Sequence, residues 1–151
     1  MFRGVNTLNL DAKGRLAVPT KYREGLLRQC EGRMVVTINN VERCLWLYPL
    51  TEWEEIERKL VDLPSLDATA QRLKRILIGH ASDCELDASG RVLLPGPLRE
   101  FANLDKRVVM IGQGNKFEIW NEQIWNTRRE EWLSGDTEGA PLPIEMESLS
   151  L

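Results

Sequence analysis

A stretch of the chain occurs twice, and this repeat constrains the fold more than any other feature of the sequence. The run Asp11-Ala12-Lys13-Gly14-Arg15 returns 76 positions later (87 − 11 = 76) as Asp87-Ala88-Ser89-Gly90-Arg91. Of the 17 aligned pairs that begin at positions 8 and 84, eight are identical, where ordinary composition gives about one. The chain is therefore a tandem duplication.

The repeat extends beyond this segment. Val35-Val36 corresponds to Val108-Val109 at an offset of 73 (108 − 35 = 73), so the second copy has shorter loops. Units of about 50 residues are only marginally stable alone, because a small domain buries too little of its surface. We therefore expect the two copies to pack on each other as one pseudo-symmetric, bilobed domain.

Composition places the chain among globular proteins. With 151 residues and 42% hydrophobic residues, it can bury roughly 70% of its unfolded surface. It has no apolar run of the ~18 residues that a membrane span needs and no signal-peptide core, so we expect a cytoplasmic protein without a membrane partner. Cys30, Cys44 and Cys84 are odd in number and widely spaced, which predicts core thiols rather than disulfides or a metal site.

Charge is distributed unevenly along the chain. The net charge is −3, yet residues 1–33 hold seven bases and three acids, a balance of 7 − 3 = +4. Residues 130–151 hold six acids and no base, and we expect an acidic, mobile tail over residues 134–151. An anionic partner would therefore meet the amino-terminal end.

Hydrophobic periodicity predicts the same order of elements in each half. Alternating apolar residues predict strands on both sides of each Asp-Ala-x-Gly-Arg segment, where Asp and Gly supply the chemistry of a tight turn. Short helical turns are predicted at residues 21–27 and 97–101. The further predicted strands are residues 34–38, 44–48, 108–111 and 116–120.

Three longer helices complete this prediction. Thr51-Glu52-Trp53-Glu54 has the pattern of a capping box and opens a helix to about Val61. Asp67 is the predicted cap of a helix that joins the halves, and Asn121 of a helix over residues 122–133. The predicted units are a first half-domain (1–62), a connecting helix (63–81) and a second half-domain (82–133).

Enzymatic chemistry has little support in this sequence. Asp11 and Asp87 are paired by the duplication, but the hydroxyl residue and the Gly that follow the Asp of an aspartic-protease dyad are missing, and an Arg four residues away favours the ionised carboxylate. His80 is the only histidine and lacks companion metal ligands at a suitable spacing; we expect a packed or capping role. We predict a protein that is not an enzyme and has no metal or other cofactor.

Recognition is the other use of two exposed turns that carry Arg. A guanidinium fits phosphate oxygens, or O6 and N7 of guanine, through two parallel hydrogen bonds. In the first turn Asp11 would orient Arg15. The alternative is a local ion pair that only clamps a hairpin, and residue chemistry alone leaves the two readings even.

Linked motifs in the right order resemble the MraZ family of bacterial transcription regulators. They are Met1-Phe2-Arg3-Gly4, the first turn with Val18-Pro19, Leu77-Ile78-Gly79-His80-Ala81 and Asp87-x-x-x-Arg91. The resemblance covers residues 1 to about 130. It implies an α+β, mainly β fold: a tandem-duplicated AbrB-like swapped-hairpin β-barrel with peripheral helices.

The resemblance also implies partners and a function. It implies a ring-shaped homo-oligomer that binds double-stranded promoter DNA with short direct repeats. The implied function is repression of its own promoter and of the division and cell wall gene cluster, at the nucleoid. The alternative is an oligomeric protein-interaction module without specific DNA recognition. Trp46, Trp53, Trp125 and Trp132 are expected in the core, and some could lie between subunits.

The family's Asp-x-x-x-Arg signature falls on Asp11 and Arg15 and again on Asp87 and Arg91. Lys13 becomes Ser89 and Lys21 becomes Pro97 in the second copy, so the first turn keeps more positive charge. We expect the first turn to form the principal DNA surface, with Arg91 contributing less or stabilising the barrel. The predicted DNA-binding residues are Arg15, Asp11, Lys13, Arg3, Lys21, Arg23, Arg91 and Asp87.

Overall fold

Eight strands and six helices make up the described part of the chain, residues 1–135 and 143–149 of a computed structural model. The strands are β1 (Phe2–Asn9), β2 (Arg15–Ala17), β3 (Arg33–Ile38), β4 (Leu45–Pro49), β5 (Ser82–Glu85), β6 (Arg91–Leu93), β7 (Arg107–Gly114) and β8 (Phe117–Asn121). The helices are α1 (Thr20–Cys30), α2 (Leu50–Val61), α3 (Ala68–Leu73), α4 (Gly96–Phe101), α5 (Glu122–Leu133) and α6 (Ile144–Glu147), with a π-helical turn, Lys74–Ile78, after α3. Much of the predicted acidic tail lies outside the described residues.

The two halves exchange strands in the main sheet. Its order is β1-β7-β8-β4-β3-β5, and all its neighbours are antiparallel. The first strand of each half pairs with the third strand of the other half: β1 with β7 and β5 with β3. The fourth strands, β4 and β8, pair at the centre. This arrangement confirms the duplicated swapped-hairpin fold.

The second strands form a separate two-stranded ribbon. β2 and β6 pair with each other through Arg15↔Leu93, Leu16↔Val92 and Ala17↔Arg91. Among the described residues one isolated backbone bridge, Leu10↔Leu16, connects the ribbon to the segment that follows β1, and β1 and β5 are the two edge strands of the main sheet. The main sheet is therefore not closed into a barrel, because β2 and β6 pair with each other instead of joining these edges.

The main core is formed by the ribbon, helices α1 and α4 and the main sheet, which pack together. Leu16 and Val92 of the ribbon are fully buried there, together with Leu26 of α1, Leu98 of α4 and sheet residues such as Phe117. α1 buries Tyr22, Leu26 and Cys30 at helical spacing. The main core thus fixes the ribbon, and with it both repeated turns.

Helix starts agree with the sequence in two of three cases. The Asp67 side chain accepts a hydrogen bond from Ala70 N and the Asn121 side chain from Ile124 N, which confirms both caps. The capping box is wrong, because α2 begins at Leu50 after Pro49 and Thr51 lies inside its first turn. The Thr51 hydroxyl instead accepts a hydrogen bond from Gln29.

Tryptophans and cysteines lie mostly in or beside apolar clusters. Trp53 is buried against Tyr48, Trp46 and Trp125 are half-buried, and Trp132 is exposed to 42%. The prediction of core positions is therefore correct for Trp53 and wrong for Trp132. The cysteines are free thiols, with Cys30 and Cys44 buried and Cys84 half-buried.

Candidate nucleic-acid interface

The first repeated turn is held by the Asp11 carboxylate. Its Oδ1 accepts hydrogen bonds from the backbone N–H of Lys13 (3.0 Å) and of Arg15 (2.8 Å). Its Oδ2 accepts from Nε of Arg15 at 2.7 Å. Gly14 closes the turn with a φ of +85° and donates its N–H to the Asp11 carbonyl. The backbone of the turn and the Asp11 carboxylate therefore fix the position of Nε of Arg15.

The second turn repeats this geometry closely. Oδ1 of Asp87 accepts from the N–H of Ser89 (2.8 Å) and of Arg91 (2.9 Å), and Oδ2 accepts from Nε of Arg91 at 3.0 Å. Gly90 has a φ of +75°. Both Arg side chains are partly exposed, 29% for Arg15 and 34% for Arg91. Each turn therefore presents a guanidinium that is oriented yet accessible.

Electrostatics favour the charged form of both carboxyl groups. The pKa of Asp11 is lowered, first by the hydrogen bond from the Arg15 backbone N–H, and the pKa of Asp87 is lowered in the same way by Arg91 N–H. A dyad that shares a proton needs one raised pKa. The carboxylates therefore suit the role of anchors for Arg15 and Arg91.

The ribbon brings the two guanidinium groups onto one face. Leu16 and Val92 point into the core, so the alternation of a strand places their neighbours Arg15 and Arg91 toward solvent. Arg15 lies opposite Leu93, and Arg91 is two residues before Leu93 in the same strand. Such diagonal neighbours are about 7–8 Å apart. Within the two strands of the ribbon, Ala17 and the exposed Leu93 share this face with them.

The remaining predicted residues divide into two groups. Lys13 is exposed on the first turn, whereas Arg3 on β1 and Lys21 on α1 are exposed near the opposite end of β1, where a Cβ added to Gly4 would lie 3.1 Å from Nζ of Lys21. The Lys21 ammonium lies 5.0 Å from the ring centroid of Tyr22, and the Tyr22 hydroxyl donates to the Arg3 carbonyl. These contacts tie the amino-terminal strand and its positive charge to α1.

Arg23 is half-buried and contacts the second turn. Its Nε donates to the Val18 carbonyl at 2.7 Å, and a Cβ added to Gly90 would lie 2.5 Å from its Cζ. Arg23 of the first half thus packs against the turn of the second half. Its repeat counterpart, Arg99, packs against Gly14 of the first turn. Sequence reasoning missed Arg99, although the identical pair Arg23 and Arg99 was visible in the repeat.

The described residues meet the requirements of neither a metal site nor a membrane-spanning helix. No group of three or more His, Cys, Asp or Glu side chains there is arranged to hold a metal ion. No helix in the described part of the chain is long and apolar enough to cross a membrane. His80 is exposed, with Nδ1 2.8 Å from the Ile76 carbonyl. It therefore caps a helical turn rather than packing in the core.

The interlocked halves and their paired turns define a duplicated swapped-hairpin protein, and comparison with known proteins gives the family. Residues 1–76 and 77–138 each match the family described as "MraZ protein, putative antitoxin-like". The chain belongs to the MraZ family.

Similar proteins in three bacteria are all named transcriptional regulator MraZ. The Halorhodospira halophila protein is 60% identical over 152 residues, covering 100% of both chains. The Thioalkalivibrio sulfidiphilus protein is 54% identical over 151 residues, again covering 100% of both. The Methylococcus capsulatus protein is 62% identical over 133 residues, which cover 88% of this chain and 87% of that protein.

Proposed function

We propose that this chain is a DNA-binding transcriptional regulator that recognises specific sequences through the solvent face of the β2–β6 ribbon. The observation that carries the proposal is the position of Arg15 and Arg91 on one ribbon face, each anchored by its own Asp. The names of the relatives support the regulatory role. The regulator acts in the cytoplasm, at the nucleoid.

A two-stranded ribbon has the dimensions to enter the major groove of B-DNA. The commonest specific contact there is a pair of hydrogen bonds from an Arg guanidinium to O6 and N7 of guanine. Nε of Arg15 is bound to Asp11, so the N–H groups of its two terminal nitrogens are the donors for a base edge or a phosphate. Arg91 supplies a second guanidinium two residue positions along the ribbon.

The two turns contribute unequally. Lys13 on the first turn and Lys21 on α1 add positive charge to the first half, where the second copy has Ser89 and Pro97. Positive charge near the phosphates supplies much of the affinity for DNA. The first turn is therefore the principal contact, and Arg91 makes the weaker one.

A homo-oligomeric ring accounts for DNA binding by a chain whose net charge is −3. Several ribbons on one particle would engage successive short direct repeats, and each further contact forms at a high effective concentration. The targets that the family resemblance implies are its own promoter and the division and cell wall gene cluster, with repression as the outcome. Binding should then rise steeply with the number of repeats.

The test is a titration of the purified oligomer against fluorescent duplexes from its own upstream region. Native and shuffled duplexes are compared at two salt concentrations, together with duplexes that carry one or three repeats. We expect tight binding to the native sequence only, stronger with three repeats than with one. Equal, weak binding to every duplex would overturn the proposal and favour a protein-interaction module.

Matched Arg variants assign the binding to the ribbon. Loss of one specific Arg contact costs about 1–3 kcal/mol, so Arg15→Ala should weaken binding to the native duplex roughly 5- to 150-fold. Arg28→Ala is the control, because Arg28 is an exposed Arg in the last turn of α1 that pairs with Glu24. Both variants must keep the oligomeric size of the original protein.

A further inference from the structure

Each recognition turn rests on a side chain from the other half of the molecule. At the first turn, Arg99 from α4 places its guanidinium against Gly14, so that a Cβ there would lie 2.6 Å from both Cζ and Nε. Nε of Arg99 donates to the Leu94 carbonyl at 2.9 Å. Leu94 in turn donates its N–H to the Gly14 carbonyl at 2.9 Å. Arg99, Leu94 and Gly14 thus form one connected support.

The second turn has the same support with the halves exchanged. Arg23 of α1 lies against Gly90, its Nε donates to the Val18 carbonyl at 2.7 Å, and the Val18 N–H donates to the Gly90 carbonyl at 2.9 Å. Two independent copies of one arrangement show that it belongs to the duplicated design. The matching residues are Arg23 and Arg99, Val18 and Leu94, Gly90 and Gly14.

We propose that Arg99 is a positioning residue that holds the first turn in its DNA-binding conformation, and that Arg23 does the same for the second turn. This inference rests on the proposed function for its effect on DNA binding. Its structural part, that each turn is held by the opposite half, can be tested without DNA.

The physical need for such a support follows from the exposure of the turns. The ion pair of Asp11 and Arg15 is partly solvated and so adds little stability to the turn by itself. The Arg99 guanidinium occupies the space where a side chain on Gly14 would lie, and this contact limits the motion of the turn. Preorganisation of this kind saves the ordering cost that Arg15 would otherwise pay on binding.

The DNA test is a double-mutant cycle on Arg15 and Arg99. Residues in one contact network have coupled effects, and we expect Arg99→Ala to weaken binding to the native duplex about tenfold. Because Arg99 acts through Arg15, adding Arg99→Ala to Arg15→Ala should cost no more than about twofold further. Fully additive losses would mean an independent DNA contact and would overturn the positioning role.

Arg99→Lys separates geometry from charge. Lys keeps the positive charge but lacks the planar fork that contacts Gly14 and the Nε that donates to Leu94. We expect this variant to bind the native duplex as poorly as Arg99→Ala. Full affinity in Arg99→Lys would show that charge alone is needed and would refute the proposal.

Amide hydrogen exchange in the absence of DNA gives the second readout. Arg99→Ala should speed exchange at Gly14 and Arg15, whose N–H groups donate to Asp11, and leave Gly90 and Arg91 unchanged. Arg23→Ala should give the reverse pattern. A general loss of stability would speed exchange at both turns in both variants, and that result, or no change in either variant, would overturn the inference. If the original protein binds no duplex specifically, the proposed function fails while this crossed pattern still decides the structural part.

Discussion

The substitution Gly14→Ala tests the packing of the first turn most sharply. An L residue in the left-handed region costs roughly 1–2 kcal/mol, and Gly14 has a φ of +85°. The new Cβ would lie 2.6 Å from Cζ of Arg99, so the guanidinium must leave and its hydrogen bond to Leu94 is lost, at about 1 kcal/mol. We therefore expect a loss of about 2–3 kcal/mol in the free energy of unfolding.

Urea unfolding at a fixed protein concentration measures this loss. Gly25→Ala is the matched control, because Gly25 lies within α1 and nothing is within 4 Å of a Cβ placed there. That control should gain about 0.5–1 kcal/mol from the better helix propensity of Ala. The reasoning is refuted if Gly14→Ala is as stable as Gly25→Ala. In an Arg99→Ala background, Gly14→Ala should cost only the backbone strain of about 1–2 kcal/mol.

Three further results are expected. Backbone N–H groups lower the pKa of Asp11 and Asp87, so these carboxylates stabilise the turns fully above the ordinary carboxyl pKa of 3.8. This stabilisation is lost as the pH falls through the lowered pKa values. NMR titration of the two carboxyl groups should give midpoints below 3.8, and midpoints at the ordinary value would contradict this. Leu16→Ala should lower the free energy of unfolding in urea by about 2–5 kcal/mol, because the Leu16 side chain of the ribbon is fully buried in the core. A loss below about 1 kcal/mol would contradict the packing of the ribbon into the core. Asp67→Ala should cost about 1 kcal/mol through the lost cap, whereas Thr51→Ala should change stability by less than about 0.5 kcal/mol; equal losses would restore the capping box.

Much of the fold can be predicted from the repeat because local patterns recur in both copies. Alternation around each Asp-Ala-x-Gly-Arg segment located β1, β2, β5 and β6, and side chains at Asp67 and Asn121 marked two helix starts. The open sheet could not be predicted this way. Whether β2 pairs with β6 or bridges the sheet edges depends on contacts between distant segments.

The candidate site shows the same division between local and distant information. The bonds of Asp11 to Lys13 and Arg15 span at most four residues, so the motif itself indicates them. The contact of Arg99 with Gly14 joins the two halves, and only the strand exchange brings these residues together. Repeat symmetry pointed to Arg23 and Arg99 as a pair without revealing which turn each one supports.

A scan with 7-deazaguanine tests the central claim, base recognition by Arg15 from the ribbon face, most directly. Each guanine of the bound duplex is replaced in turn, which removes the N7 acceptor without changing the phosphates, and the affinities of the original protein and of Arg15→Ala are compared. At one or more positions the replacement should weaken the original protein by about 1–3 kcal/mol and leave Arg15→Ala unaffected. Equal responses of the two proteins at every position would contradict base recognition by Arg15.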